Sequence, residues 1–308
     1  MLQTLLYPPL SNESQLNLRE LNEAFAHICV FDSNLNTNTS KYLQSSKIIA
    51  VGCIEELCIN DSKNTLAQLQ QFLDKKPGWV FGYLSYDLKN EIENLNSKND
   101  DRLNFPPIHF FVPEVVIQIH DSNISVTYDD AFLNQGKAEE IHKLCFTSSQ
   151  EGKKEKSLNT VRIQSKLTKN EYIGSVNKLK QHIHKGDIYE INYCQEFFAE
   201  DAPIDIVNVF ENLNAISKAP FSAYCRFNGK YVLCASPERY IQKKGNKLIS
   251  QPIKGTVRRS ENITEDEQLK NNLKKSSKER SENIMIVDLV RNDLSRIAKQ
   301  GTVKVDEL

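Results

Sequence analysis

The sequence has 308 residues, of which 39% are apolar, so it is long enough for one large domain or two ordinary domains that each bury a core. Its 39 basic and 40 acidic residues leave a formal charge of −1, which argues against a surface for nucleic acid or an anionic membrane and favours small-molecule chemistry. No run approaches the roughly 18 apolar residues of a membrane span, and the N-terminus carries no signal-peptide pattern, so we expect a cytoplasmic protein.

Apolar patterns divide the first half of the chain into strands and helices. Strands are predicted at 48–54 and 79–83, a hairpin at 108–119 and 124–128, and helices at 65–75 and 130–146. The charged, asparagine-rich stretch 89–102 lacks periodicity and is expected to be a surface loop. The stretch 147–157 contains no apolar residue and is the most linker-like segment. The domain boundary is predicted there, which divides the chain into 1–157 and 158–308.

The second region opens with a helix signal. Thr168 is a plausible N-cap with Glu171 three residues later, the spacing of a capping box. The helix is expected to end at Gly186, which makes His182 and His184 its last turn and not metal ligands. Beyond it, a strand is predicted at 189–198, a helix at 204–216, and strands at 221–227, 231–235, 239–243 and 247–253. Strands clustered between helices predict an α+β fold with antiparallel sheets flanked by helices.

The chain contains seven cysteines, an odd number, and they lie mostly in apolar stretches. None forms a Cys-x-x-Cys pair, so neither a zinc site nor a disulfide framework is indicated. We expect reduced, buried thiols.

The clearest chemical pattern is Pro252-Ile253-Lys254-Gly255-Thr256. Glu238 stands at the end of an apolar strand before it, so a lysine and a carboxylate are arranged as a nucleophile or cation facing a general acid. Most lysines beside a Gly-Thr turn are simply solvated, and on the local motif alone that alternative stays open. Lys254 is the first candidate for chemistry, and Glu238 is the candidate proton donor.

A helix is predicted at 278–294, and two glutamates near its start, Glu279 and Glu282, are three residues apart. Side chains at this spacing project from the same face of a helix, so the two carboxylates could hold one hard cation together with a ligand. The alternative is a first helical turn in which carboxylates suit the helix dipole.

Several motifs follow one another in a specific order, at 186–192, 219–224, 236–239, 252–256 and 279–294. In this order they resemble the chorismate-utilising enzymes, in particular component I of aminodeoxychorismate synthase, within the anthranilate synthase component I family. Residues 81–87 are similar, more weakly, to the N-terminal domain of that family. Anthranilate synthases typically carry alanine where this chain has Lys254, so the resemblance favours the aminodeoxychorismate type.

The resemblance implies a reaction and a partner. In the family, the lysine matching Lys254 attacks ring carbon C2 of chorismate while the glutamate matching Glu238 assists loss of the C4 hydroxyl. Ammonia, made from glutamine by a separate glutamine amidotransferase subunit, then adds at C4 and expels the lysine. The product would be 4-amino-4-deoxychorismate, a precursor of para-aminobenzoate and folate.

The substrate carries two carboxylates, whose charge must be neutralised. A magnesium ion (Mg²⁺) on Glu282, with Glu279, would neutralise that charge, since carboxylates are the expected ligands of Mg²⁺. Gly255 and Thr256 would shape the pocket around a substrate carboxylate through backbone amides and a hydroxyl.

Two departures from the family pattern affect what can be expected. Glu190 replaces the glutamine of the Gly-Asp-x-Tyr-Gln-x-Asn motif, which should alter a local hydrogen bond and not the reaction. Residues 302–308 match a mid-domain stretch, whereas the family continues with a glycine-rich segment, more strands and a second glutamate cluster that completes the magnesium site.

From this ending we expect a C-terminally truncated chain, or one whose remainder lies in another chain. Alone it should be weakly stable and close to inactive, because unpaired strand edges and exposed apolar faces invite aggregation. Two alternatives stay open: an anthranilate synthase component I, and a catalytically inactive fragment that acts as a binding module.

Overall fold

A computed structural model describes the chain at residues 1–9, 16–34, 46–60, 63–76, 78–93, 95–120, 123–146 and 161–307. In chain order its strands and helices are β1 (Leu2–Tyr7), α1 (Leu18–Ala24), β2 (His27–Asp32), β3 (Ser46–Val51), β4 (Glu55–Ile59), α2 (Thr65–Asp74), β5 (Phe81–Leu84), α3 (Lys89–Ile92), β6 (Ile108–Val112), β7 (Val115–His120), β8 (Asn123–Asp129), α4 (Gln135–Cys145), β9 (Gln164–Ser165), α5 (Lys169–Lys185), β10 (Phe197–Phe198), α6 (Ile206–Ser217), β11 (Phe221–Phe227), β12 (Lys230–Ser236), β13 (Arg239–Lys244), β14 (Lys247–Gln251), α7 (Ile263–Lys275) and α8 (Ser277–Ser295). A short 3₁₀ turn, Tyr86–Leu88, precedes α3.

The largest element is a seven-stranded sheet with strand order β1-β8-β7-β3-β2-β11-β12. Its neighbouring strands are antiparallel throughout. The central strands consist largely of β-branched and other apolar residues because both of their faces are covered. In β2, the four consecutive residues from His27 to Val30 are all buried.

A three-stranded sheet, with strand order β4-β6-β5, packs against one face of the large sheet. The apolar cluster between the sheets joins β5 and β6 to β2, β3, β7 and β11. Its largest buried members are Phe81, Phe111 and Phe227. Phe111 and Phe227, from different sheets, have ring centroids 6.0 Å apart in an edge-to-face arrangement, which is favourable for aromatic pairs.

Helices α1 and α4 cover the other face of the large sheet. Alternation of side chains along β2 and β3 turns the fully buried Ile28 and Ile49 away from the small sheet. Helix α4 contacts β7, β8 and α1, and Leu21 of α1 and Ile141 of α4 are buried. The protein therefore has the predicted α+β fold with antiparallel sheets and helices. No helix in the described part of the chain combines the length and hydropathy needed to cross a bilayer.

Contacts within the chain define two compact units, Met1–Thr147 with Leu213–Leu308, and Ser148–Asn212. The smaller unit contains α5, whose first turn has both hydrogen bonds of a capping box between Thr168 and Glu171. The helix ends at Gly186, which has a φ of 81°. The predicted start and stop of this helix are confirmed, and His182 and His184 lie in its last turn.

The predicted domain boundary at residue 157 lies outside the described residues and stays a prediction. Strand pairing nevertheless joins the two predicted regions. Strand β11 pairs with β2 from Ser222 opposite Asp32 to Phe227 opposite His27. The large sheet is therefore built from strands on both sides of the predicted boundary.

Two strand predictions were wrong. The predicted strand 108–119 is divided between β6, in the small sheet, and β7, in the large sheet. The division falls at Pro113, which has no N–H to donate, and the next N–H, of Glu114, bonds to Val51 O at 3.1 Å. The predicted strand 189–198 is paired only at Phe197–Phe198, because its partner β9 offers only two residues.

The cysteines are all free, and three of them, Cys29, Cys145 and Cys225, are buried as expected. Cys58 and Cys194 are exposed, so the expectation of burial was wrong for these two. Apolar neighbours in sequence did not bury them, because a strand or loop can turn either face to solvent.

Candidate functional site

The β13–β14 hairpin brings Glu238 close to the segment that contains Lys254. Arg239, the first residue of β13, is opposite Gln251, the last residue of β14. Because paired strands are antiparallel, the residue before β13 and the residues after β14 lie at the same end of the hairpin. Glu238 Oε1 accepts a hydrogen bond from the backbone N–H of Ile253 at 3.2 Å. The carboxylate is therefore bound to the residue that directly precedes Lys254.

The chain around Glu238 is held in place on both sides. Ser236 Oγ accepts the Glu238 N–H at 3.2 Å and donates its own proton to Glu238 O at 3.2 Å. The Arg239 guanidinium lies 5.1 Å from the Phe221 ring centroid and donates to Gln242 Oε1 at 2.8 Å. Burial lowers the pKa of Arg239. These contacts fix the backbone from which the Glu238 side chain projects.

The segment 252–256, which we call the lysine loop, contacts the first turn of α8. Gly255 has a φ of 69°, a left-handed conformation that favours glycine. A Cβ built on Gly255 would lie 2.5 Å from Glu279 Oε2 and 3.2 Å from Glu279 Cβ. The Glu279 side chain thus lies against the backbone of the residue that directly follows Lys254, and only glycine leaves room for it.

Helix α8 starts where the sequence predicts. Its N-cap is Ser276, whose Oγ accepts the Glu279 N–H at 3.4 Å. Glu279 lies in the first turn with a side chain that is 26% exposed, and Lys278 Nζ is 3.9 Å from its Oε1. Glu282 follows one turn later and is half-buried. The spacing places both carboxylates on the same helical face, as the sequence predicts.

The donor set of Glu279 and Glu282 suits a magnesium ion. Within the described residues, no third His, Cys, Asp or Glu joins them in a compact set of ligand atoms. Mg²⁺ usually binds through one or two carboxylates and completes its coordination with water and substrate oxygens. Two half-buried carboxylates on one face are compatible with that pattern.

The structure thus brings four of the predicted site residues into one connected region: Glu238, Lys254, Gly255 and Glu279. Lys254 and Gly255 are half-buried, while Thr256 is exposed. Glu282 is placed next to this region by the helix that it shares with Glu279. The catalytic, binding and metal roles of these residues remain predictions.

A second polar cluster, which sequence reasoning missed, lies where the two sheets face each other. His27 and His109 are 5% and 3% exposed, and their Nε2 atoms lie 2.9 Å and 3.1 Å from Glu56 Oε2. Cys53 lies close by, with His27, Cys53 and Glu56 offering ligand atoms within 4.8 Å of one another. These residues come from β2, β4, β6 and the turn after β3, so no sequence spacing marks them. Only the strand pairing could have revealed the cluster.

Solved structures share this fold. Anthranilate synthase component I from Streptococcus pneumoniae matches with a TM-score of 0.72 and 21% identity, over 89% of this chain and 67% of that chain. The menaquinone-specific isochorismate synthase from Escherichia coli matches with a TM-score of 0.61 and 14% identity, over 96% of this chain and 64% of that chain. At these identities the likeness establishes the fold.

Curated relatives are more similar in sequence. The anthranilate synthase component I-like protein of Synechocystis sp. is 33% identical over 260 residues, 83% of this chain and 52% of that protein. Aminodeoxychorismate synthase component 1 of Bacillus subtilis is 31% identical over 241 residues, 75% of this chain and 50% of that protein. The chain spans about half the length of the curated relatives that it matches.

The family model described as chorismate binding enzyme matches residues 30–308, and the chain belongs to that family. The match extends well into the first half of the chain, beyond the motifs at 186–294.

Proposed function

We propose that this chain acts as component I of aminodeoxychorismate synthase and converts chorismate and ammonia to 4-amino-4-deoxychorismate through a covalent bond to Lys254. The observation that carries the proposal is the setting of Lys254 between two carboxylate contacts. Glu238 is bonded to the residue before it, and Glu279 lies against the residue after it. A nucleophile flanked by a candidate acid and a candidate metal ligand is the arrangement that this substitution needs.

The first step forms the bond between Nζ of Lys254 and ring carbon C2. Both ring double bonds shift, the bond between C4 and its hydroxyl oxygen breaks, and a proton from Glu238 lets that oxygen leave as water. Because Glu238 Oε1 accepts the Ile253 N–H, the proton to be donated is carried on Oε2. The backbone hydrogen bond therefore orients the acid without consuming its proton.

The second step reverses the first with a different nucleophile. Ammonia bonds to C4, both ring double bonds shift back, and the bond between C2 and Lys254 Nζ breaks. The proton lost by the incoming nitrogen returns to the Glu238 carboxylate, and the Lys254 amine leaves with the protons that it carried when it attacked. Lysine is regenerated, and the sum of the two steps replaces the hydroxyl with an amino group.

The remaining site residues bind and position the substrate. Mg²⁺ held by Glu279 and Glu282 would neutralise a substrate carboxylate and fix its position. Gly255 lets the Glu279 carboxylate approach the lysine loop. The backbone amide of Gly255 and the exposed hydroxyl of Thr256 would hydrogen-bond the same carboxylate.

Ammonia would come from a separate glutamine amidotransferase. Relatives from Bacillus subtilis and Escherichia coli, each 31% identical, are named aminodeoxychorismate synthase component 1. A name that numbers one component supports the proposal that the complete enzyme has another. Free ammonia should replace that partner in an assay.

Anthranilate synthase component I is the second candidate. Relatives with that activity in their names match at similar identity, 33% for the Synechocystis protein and 30% for the protein from Acetivibrio thermocellus. Lys254 argues against this candidate, because the resemblance places alanine there in anthranilate synthases. The two candidates differ in product, 4-amino-4-deoxychorismate or anthranilate.

Product identification tests the proposal. Chorismate, ammonium and Mg²⁺ are incubated with this chain and, in parallel, with a chimera that continues it with the matching remainder of the Bacillus subtilis relative. We expect 4-amino-4-deoxychorismate from the chimera, lost in Lys254→Ala and retained in Lys243→Ala, a lysine on β13. Anthranilate as the product would favour the second candidate, and neither product from either protein would refute both.

A further inference from the structure

The side chains of the second polar cluster converge on one point. His27 and His109 both direct Nε2 at Glu56 Oε2, at 2.9 Å and 3.1 Å. Cys53 adds a sulfur, since its Sγ lies within 4.8 Å of the ligand atoms of both His27 and Glu56. One imidazole nitrogen, one carboxylate oxygen and one sulfur therefore lie close together, and His109 holds the same carboxylate.

The backbone holds these donors in place. Gly52 turns the chain after β3 with a φ of 76°, and its N–H bonds to His27 O at 3.1 Å. The N–H of Ile54 bonds to Val112 O at 2.9 Å. The turn that carries Cys53 is thus tied to β2 on one side and to β6 on the other. A site whose donors are held by paired strands requires little ordering when a ligand binds.

The donor types select a class of ligand. Imidazole and thiolate suit borderline transition metals such as Zn²⁺, which favours four tetrahedral ligands from Cys, His and carboxylate. Bonds of about 2.1 Å place tetrahedral ligands about 3.4 Å apart, so the three donors reach this spacing by shifts of up to about 1 Å from their present positions. The Glu56 side chain is 42% exposed and can move by that amount.

The protonation states are compatible with metal binding. Burial lowers the pKa of His27, which keeps its imidazole neutral and able to bind a metal. Burial is the main cause that raises the pKa of the Cys53 thiol to about 11, and the negative charges of Glu56 and Glu114 contribute to the increase. Metal binding at Cys53 would therefore release a proton, because a coordinating thiol is deprotonated.

We propose that His27, Cys53 and Glu56 bind a single Zn²⁺-type transition-metal ion between the two sheets, with His109 orienting the Glu56 carboxylate through its hydrogen bond. Without an ion, Glu56 accepts N–H hydrogen bonds from the two imidazoles, and Cys53 takes no part. The metal-bound and metal-free states differ at the sulfur, because only the metal-bound state contains a bond between the Cys53 thiolate and the metal.

Cobalt is the probe, since a Co²⁺–thiolate bond gives a charge-transfer absorption. The full chain is treated with chelator, titrated with Co²⁺ and then with Zn²⁺, and metal content is measured after gel filtration. We expect one equivalent of Co²⁺, a thiolate charge-transfer band, and loss of that band when Zn²⁺ is added. Absence of a thiolate charge-transfer band after addition of one equivalent of Co²⁺ would overturn the proposal.

Matched variants locate the site. Cys53→Ser should abolish the charge-transfer band and weaken Co²⁺ binding at least about tenfold, whereas Cys58→Ser, an exposed cysteine on β4, should leave both unchanged. Glu56→Gln should also weaken binding, and circular dichroism checks that each variant is folded. A band that persists in Cys53→Ser, or disappears in Cys58→Ser, would contradict the assignment.

Discussion

Replacing Gly255 with alanine tests the contact between the lysine loop and α8. Gly255 has a φ of 69°, where a Cβ costs about 1–2 kcal/mol. The new Cβ would also lie 2.5 Å from Glu279 Oε2, the far end of a flexible side chain. Moving that carboxylate into a less favourable rotamer adds about 1 kcal/mol. Most of the stability loss therefore comes from backbone strain, while the clash displaces Glu279.

Gly245→Ala is the matched control. Gly245 has a φ of 59°, and a Cβ built there meets no atom within 4 Å. This variant carries the backbone strain without the clash. By urea unfolding, both variants should lose about 1–2 kcal/mol, with up to about 1 kcal/mol more for Gly255→Ala.

Ligand binding should separate the two variants sharply. Gly255→Ala should weaken the Mg²⁺-dependent binding of chorismate at least about tenfold, because the Glu279 carboxylate is displaced. Gly245→Ala should bind as the unmodified chain does. Calorimetric titrations with and without Mg²⁺ measure the difference. Unchanged binding in Gly255→Ala, or equal weakening in both variants, would refute the role of the Gly255–Glu279 contact.

Three further substitutions give expected outcomes. Glu238→Gln keeps an acceptor for the Ile253 N–H but removes the acidic proton, so the protein should stay folded. Covalent attack by Lys254, followed by intact mass, should slow about 10²–10⁴-fold. An unchanged rate would exclude Glu238 as the acid. Burial is the main cause that lowers the pKa of His142 below its ordinary 6.5, and the charge of Lys143 lowers it further. The contribution of His142 to stability is therefore full above pH 6.5 and is lost as the pH falls below that value. His142→Phe, which retains the stacking on Tyr7, should flatten the decrease in urea midpoint between about pH 7.5 and about pH 5.5, whereas replacement of an exposed histidine should not. Thr168→Ala removes the N-cap of α5 and should cost about 1 kcal/mol, measurable as faster amide exchange in its first turn; unchanged exchange would show that the cap adds nothing.

The features that the sequence predicted correctly depend on residues that lie close together in the chain. Helix α5 begins at Thr168 because a capping box needs only residues three apart, and it ends at Gly186 because the left-handed conformation favours glycine. The β13–β14 hairpin is also local, and its pairing brings Glu238 to the N–H of Ile253. These signals act over one turn or one hairpin.

The features that sequence did not predict depend on pairing between distant strands. No local pattern indicates that β11 pairs with β2, or that the apolar run 108–119 changes sheets at Pro113. The second polar cluster has the same origin, because His27 and His109 meet Glu56 only through the packing of two sheets. Apolar alternation likewise predicted a strand at 189–198, although it cannot report whether a partner strand exists.

Intact-mass spectrometry after incubation with chorismate and Mg²⁺, without ammonia, tests directly whether Lys254 is the nucleophile. It is run on the chain and on the chimera with the remainder of the Bacillus subtilis relative, followed by peptide mapping. We expect an adduct of chorismate minus water that maps to Lys254, is absent in Lys254→Ala and disappears when ammonia is added. An adduct at another residue, or no adduct in either protein, would exclude Lys254 as the nucleophile and leave it as a residue of a turn.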